Sequence, residues 1–295
     1  MTAVPDILLR LAAWLLLAPL LPGIINKVKA WVAGRRGPPV LQLYYDLAKL
    51  WRKGVVLSTA VSPAHVIGPA MAWIALAGAA LLLPIGPAGA SLSFRGDALM
   101  FVYLLAFARF CIALAALDAG SAFEGMGVAR EVSYAVLAEA AIITALLTLC
   151  VQSGSVSLVT MLAPSAGAGA ALLAVGLFGV LLVENCRVPF DDPNTHLELT
   201  MIHEVMVLDH SGPDFALISY GAALKLWALG ALLVRLALPF GAQGAHKVLL
   251  FLCGIFFVAL VAGVVESCMA RLRLVKVPAL LLSASVLAFA AFVIS

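Results

Sequence analysis

The side chains best suited to proton chemistry are gathered in one stretch. From Glu184 to Gly212 the sequence reads ENCRVPFDDPNTHLELTMIHEVMVLDHSG, with carboxylates at Glu184, Asp191, Asp192, Glu198, Glu204 and Asp209. Asp214 follows just beyond, and His196, His203 and His210 are interspersed, in a chain only 11% charged. Carboxylates and imidazoles exchange protons near neutrality once their surroundings shift them. A metal site of the HExxH kind needs two histidines four residues apart, whereas His196 and His203 are seven apart, so no metal site is expected here. A solvated helix face, a proton-exchange site and a docking surface all remain open as readings of these histidines.

A second group of ionisable residues interrupts apolar runs, where each costs at least ~2.5–3.5 kcal/mol to insert and needs a partner or a wet cavity. Arg10 and Arg235 lie near span ends and are expected to snorkel to the surface. Arg109, Glu139 and Lys225 lie deeper. Either they pin neighbouring helices as ion pairs, or they continue a line of acids inward. Asp118, Glu131, Glu184 and Glu266 fall at span ends on one side, so Glu139 reads as the inner continuation of an acidic funnel.

These groups must be held by a membrane scaffold. The chain has 295 residues, of which 64% are hydrophobic, and a mean hydropathy of +1.12. Apolar runs recur over roughly twenty residues, which is the length a helix needs to cross a bilayer. The runs are Ile7 to Ile25, Ala64 to Ile85, Ala98 to Leu117, Val132 to Val151, Gly167 to Val183, Phe215 to Leu238, Val248 to Val265 and Val277 to Ile294. The predicted fold is therefore an all-α integral membrane protein with about eight transmembrane helices in one transmembrane domain, 1–295. The fifth span is the weakest because its start is rich in small residues.

With the N-terminus outside, twelve Lys and Arg fall on cytoplasmic connections and only Arg95 and Lys247 on outer ones. The positive-inside rule then places both termini outside and the acidic loop 184–214 in the cytoplasm. No positively charged start precedes the first apolar run, so it reads as a span and not a removed signal peptide.

Two loops carry predicted structure. In Val40 to Lys53 the spacing of Leu43, Leu47 and Leu50 predicts an amphipathic helix at the membrane interface, anchored by Trp51, Arg52 and Lys53. Between the fifth and sixth spans, Pro189 and Pro193 break the preceding helix. Asp192 as N-cap and Pro193 at the first position predict a second helix to Asp209, stopped by Gly212-Pro213, so that the loop is an acidic helical hairpin. Its three histidines would share one face. The five cysteines have no paired spacing and read as inert apolar residues.

The run from Glu184 to Glu204, with its DDPNTHLELTMIHE core, resembles the loop between the fifth and sixth helices in the family of respiratory complex I subunit 1 (NADH dehydrogenase subunit 1). Its wording is similar to the branch of formate hydrogenlyase and hydrogenase-4 membrane subunits of group 4 nickel-iron hydrogenases. GRRGPPVLQLYYDLAKLWRKG (34–54) resembles the family's first cytoplasmic loop. SAFEGMGVAREVSYAVLAEA (121–140) resembles its third-to-fourth helix segment, with Glu139 at the position of an in-membrane glutamate.

The resemblance implies a non-redox membrane subunit of an oxidoreductase complex. It would have no catalytic centre, cofactor or metal of its own, and would link electron transfer in a peripheral arm to proton or sodium translocation. Implied partners are hydrogenase large and small subunits carrying the nickel-iron site, iron-sulfur electron-transfer subunits, antiporter-like membrane subunits and lipid, in the inner membrane of a prokaryote. Candidate coupling residues are Glu139, Glu184, Arg187, Asp191, Asp192, Glu198, Glu204 and Lys225, with Arg187 as charge partner to the loop acids. Arg109, Asp118, Glu131, His196, His203 and Glu266 are secondary candidates.

The complex I branch lines a quinone cavity, but its GPNRVGP-like wording is replaced here by GRRGPPVLQ. A quinone-binding subunit 1 of complex I is the nearest alternative function. A stand-alone secondary ion transporter is an alternative of another class, although no internal self-similarity between the halves supports it.

Overall fold

In a bilayer every backbone polar group must find its partner within the segment, which leaves the helix as the natural span. The computed structural model describes residues 11–84, 89–162, 167–191, 201–238 and 245–294, and among them the regular structure is entirely helical. The helices are α1 Leu11–Val32, α2 Gln42–Leu50, α3 Pro63–Leu82, α4 Asp97–Asp118, α5 Ala122–Ser153, α6 Leu158–Met161, α7 Ala168–Glu184, α8 Gly212–Ala237, α9 Ala245–Cys268 and α10 Val277–Ile294. Among the described residues, seven helices are long and apolar enough to cross a membrane; α7, at 17 residues, is the short one. That helix falls on the fifth run, the one expected to be weakest from its small-residue start.

The helix α8 is the organising element. It is the most enclosed of the candidate spans and packs against α3, α7 and α9. The outward faces of other helices remain apolar, as Tyr103, Phe107, Phe110 and Leu114 of α4 show. An all-round apolar helix of this kind suits a lipid surround.

Three local differences from the sequence reading have physical causes. First, α5 starts at Ala122, well before the apolar run at Val132, because its polar first turns are covered by residues 201–207. Gly127 makes this possible: a Cβ there would lie 2.5 Å from Val205 Cγ1 and 3.0 Å from the Ile202 carbonyl.

Second, the expected helix from Pro193 to Asp209 is not what the described part shows. Residues 192–200, which include Asp192, His196 and Glu198, lie outside the described residues. Beyond them the chain makes only a 3-10 turn at Glu204–Val207. Here Asp191 Oδ2 accepts from the amides of Ile202 (2.9 Å) and His203 (3.3 Å), so a side chain takes bonds that an α-helix would have made internally. Likewise Gly212-Pro213 begins α8 and ends nothing; Gly212 has φ +56°, and a Cβ there would sit 2.7 Å from the Gly54 carbonyl.

Third, Arg235 does not snorkel. It is buried at the far end of α8 and donates to the Leu162 carbonyl at 3.3 Å, because that helix is enclosed along its whole length. Arg10 lies outside the described residues.

The loop helix expected within Val40 to Lys53 is present as α2. Leu47 is buried, Leu43 packs on the core, and the Tyr44 hydroxyl donates to the Leu16 carbonyl, tying α2 to α1. Burial of that phenol pushes its pKa up. Trp51, Arg52 and Lys53 are exposed.

Candidate functional site

Arg109 projects from the middle of α4 into a ring of carboxylates drawn from two other helices. Its guanidinium donates to Glu139 of α5 and reaches both oxygens of Glu184, at the end of α7, at 2.6 and 2.7 Å. Glu131 of α5 stands 3.6 Å from its Nε. Glu131 and Glu139 are eight residues apart, two turns along one helix, so one guanidinium can span both. From the other side, Lys225 of α8 approaches Glu184 Oε2 at 3.7 Å.

Glu184 is nearly enclosed, with 2% of its side chain exposed, against 8% for Arg109, 15% for Lys225 and 32% for Glu139. The network therefore grades from a sealed inner pair to an accessible outer acid. Two cations, Arg109 and Lys225, face three carboxylates, Glu131, Glu139 and Glu184. That leaves one negative charge in excess, and in a poorly solvated site such a charge is relieved by a proton or another cation.

A cavity of about 620 Å³, counting the space at its mouth, opens onto this network. Pro69, Trp73, Leu76 and Ile112 supply an apolar wall; Arg109, Glu131, Glu184, His203 and Lys225 supply the polar one. Cys186 also lines it, with φ +48° and its thiol 3.9 Å from Glu131 Oε2. Burial, reinforced by the Glu131 charge, pushes that thiol well above its ordinary pKa, so it stays protonated and unreactive.

The funnel expected from the sequence separates into distinct groups. Glu131, Glu139 and Glu184 meet at Arg109. Glu266 of α9 instead pairs with Lys29 (2.9 Å) and Arg187 (3.6 Å), clasping α9 to α1 and to the loop after α7. Asp191 pairs with Arg271 at 3.0 Å. Asp118 accepts the Ser62 amide at 2.6 Å, at the N-cap of α3. Glu204 opens the 3-10 turn, His203 faces the cavity and His210 stacks on His65. His203 and His210 thus do not share one helix face, and His196 lies outside the described residues.

Sequence reasoning singled out neither His65 nor Glu124, nor Arg271 as a partner for Asp191. All three lie far along the chain from the groups they meet (His210, the Asp209 amide and Asp191), so spacing carries no signal for them. Among the described residues no cluster of three or more His, Cys, Asp or Glu could hold a metal ion.

Helices of this length and apolarity around a buried charge network define a multi-pass membrane protein. The chain belongs to the NADH dehydrogenase family, which it matches over residues 6–295. It is 31% identical over 291 residues to formate hydrogenlyase subunit 4 of Escherichia coli (strain K12), covering 94% of this chain and 93% of that protein. It is 33% identical over 238 residues to hydrogenase-4 component C of the same organism, covering 77% of this chain and 73% of that protein.

Among solved structures it is similar in fold to a chain of the membrane-bound sulfane sulfur reductase, an archaeal respiratory membrane complex. That match has a TM-score of 0.84 and 21% identity, over 99% of this chain and 100% of that one.

Proposed function

We propose that this chain is the membrane-anchor and ion-coupling subunit of a membrane-bound hydrogenase or formate-hydrogenlyase-like complex. In this reading it docks a peripheral arm, which carries the nickel-iron site and iron-sulfur clusters, onto the membrane and takes part in proton or sodium movement. Similarity to formate hydrogenlyase subunit 4 over nearly the whole of both chains supports the assignment to this kind of complex.

The observation that carries the coupling role is the excess carboxylate around Arg109. Glu139 is the most exposed acid of the set and the natural point of exchange; Glu184, held by both Arg109 and Lys225, is the fixed counter-charge. A rearrangement of the loop 185–191 or 201–211 would move His203 and Glu184 relative to Arg109, changing which acid the guanidinium neutralises. Asp191, which ends the first segment and whose side chain bonds to the second and to Arg271, is the residue through which such a motion would pass.

The test is Glu139→Gln in the assembled complex, reconstituted in vesicles, with ion movement measured against turnover. Loss of ion movement with turnover retained is expected; unchanged ion movement per turnover removes Glu139 from the path.

A second reading, a quinone site, is favoured by one feature: the cavity joins an apolar wall to Arg109, His203 and Lys225, which is what an amphipathic ring with a polar edge would need. Quinone-dependent turnover of the purified complex would establish it. A stand-alone transporter would purify without nickel and iron-sulfur proteins, and co-purification of those proteins rules it out.

A further inference from the structure

A second set of ionisable side chains lies apart from the Arg109 network. His65 sits in the first turn of α3, Glu124 in that of α5 and Asp214 in that of α8, with Asp209 and His210 on the segment leading into α8. The rings of His65 and His210 stack with centroids 4.0 Å apart and planes 8° from parallel. His65, His210, Glu124 and Asp214 are each less than a tenth exposed.

The hydrogen bonding of this set is incomplete. Nδ1 of His65 lies 3.1 Å from the Ala115 carbonyl, and since a carbonyl only accepts, the ring proton of neutral His65 belongs on Nδ1. Nε2 is then the basic nitrogen. Glu124 Oε1 accepts the Asp209 amide at 3.2 Å. Glu124 Oε2, Asp214 Oδ2 and both ring nitrogens of His210 have no hydrogen-bond partner among the described residues.

The charged and titratable groups that act on His65 are Asp118 from α4, Glu124 from α5, Asp214 from α8 and His210 from the connecting segment; Asp209 acts on Glu124. Asp118 is already occupied by the Ser62 amide. Among the described residues neither Glu124 nor Asp214 makes an ion pair.

Two buried acids without a cation, beside an imidazole with a free basic nitrogen, form the arrangement in which bare charge is most costly and a bound proton relieves it most. Each acid sits at a helix N-terminus, where the macrodipole offsets part of the cost of a transient anion. We infer that Glu124, Asp214 and His65 form a second proton-binding site, separate from the Arg109 network, in which one proton is held among the two carboxyls and the His65 imidazole.

Among the described residues no carboxylate pairs directly with His65, so transfer runs through water: the carboxyl O–H bond breaks as a water O–H bond forms, and that water gives up another proton as the Nε2–H bond forms, leaving carboxylate and imidazolium; no electrons change hands. His210 is the neutral wall of the site. Burial, reinforced by His65, lowers its pKa to about 4, so it does not compete for the proton near neutrality. The site's purpose rests on the ion-coupling reading, but its protonation can be measured without any ion movement.

The experiment is infrared difference spectroscopy of the intact purified complex across about pH 5–8. A protonated-carboxyl band that titrates in this window is expected. Glu124→Gln keeps an acceptor for the Asp209 amide and should remove the band; Asp214→Asn should remove or displace it.

A titrating band unchanged in both variants overturns the inference. So does the absence of any titrating carboxyl band in the unaltered complex, a measurement that needs no variant to fold. In the Glu139→Gln complex the band should persist. If the band is missing while Glu139→Gln abolishes ion movement, only this site fails; a band present with ion movement unchanged in Glu139→Gln sinks only the coupling role.

Discussion

Asp97 and Glu184 are both carboxylates sealed inside the bundle, and the protein treats them in opposite ways. Asp97, at the start of α4, accepts from the Leu158 amide (2.6 Å), the Ser157 hydroxyl (3.0 Å) and the Ser93 hydroxyl (3.3 Å). Its lone pairs are met by neutral donors, which fix the segment before α6 against α4. Glu184 is met by the Lys225 ammonium and by a guanidinium that Glu131 and Glu139 also contest. A carboxylate satisfied by neutral dipoles is a structural pin with one arrangement. A carboxylate sharing too few cations with its neighbours has several arrangements of similar energy, and that degeneracy is what an ion-coupling element needs.

The comparison can be broken at either site. The largest effect is expected from Arg109→Met, which leaves the enclosed Glu184 with Lys225 as its one remaining cation among the described residues. Breaking a buried pair from one side costs about 3–5 kcal/mol. The variant complex should assemble poorly and unfold at lower temperature in detergent, and adding Glu184→Gln should restore much of the loss; no rescue in that double variant would mean the pair is not coupled.

Asp97→Ala comes next. Its loss leaves buried donors unmet, at about 1–3 kcal/mol. Thermal unfolding should show that loss while ion movement per turnover stays normal. A change in coupling would erase the distinction between the two acids.

Glu139→Gln sharpens the contrast from the other direction. The amide keeps an oxygen acceptor for Arg109 on a partly exposed side chain, so stability should shift by less than about 1 kcal/mol while ion movement is lost. The smallest effect at neutral pH belongs to His210. Its folded pKa is about 4, below the ordinary 6.5, so the fold favours the neutral ring. The stability this contributes is fully present above about pH 6.5 and is lost as pH falls towards 4. In His210→Gln the acid-side decline of the melting temperature should be shallower than in the unaltered complex; identical pH profiles would show that His210 contributes none of it.

Much of the architecture was legible because it follows from composition and local pattern. Runs of apolar residues as long as a bilayer is thick must be helices, and the leucine spacing in α2 is a local signal that the structure repeats. That Arg109, Glu139 and Lys225 need partners was legible for the same reason, since an ionised group in an apolar run demands one. Their pairing was not. Glu139 could have met either cation; it meets Arg109, while Lys225 meets Glu184 from a helix remote in sequence.

The sequence by itself determined that this is a helical membrane chain with a concentration of acid between the fifth and sixth spans, because hydropathy and charge act residue by residue. The tertiary structure decided which charges neutralise one another, that residues 201–211 fold as a side-chain-tied loop, and that His65 meets His210. Those outcomes depend on distances between helices far apart in the chain, set by close approaches such as that at Gly127, and no local pattern encodes such distances.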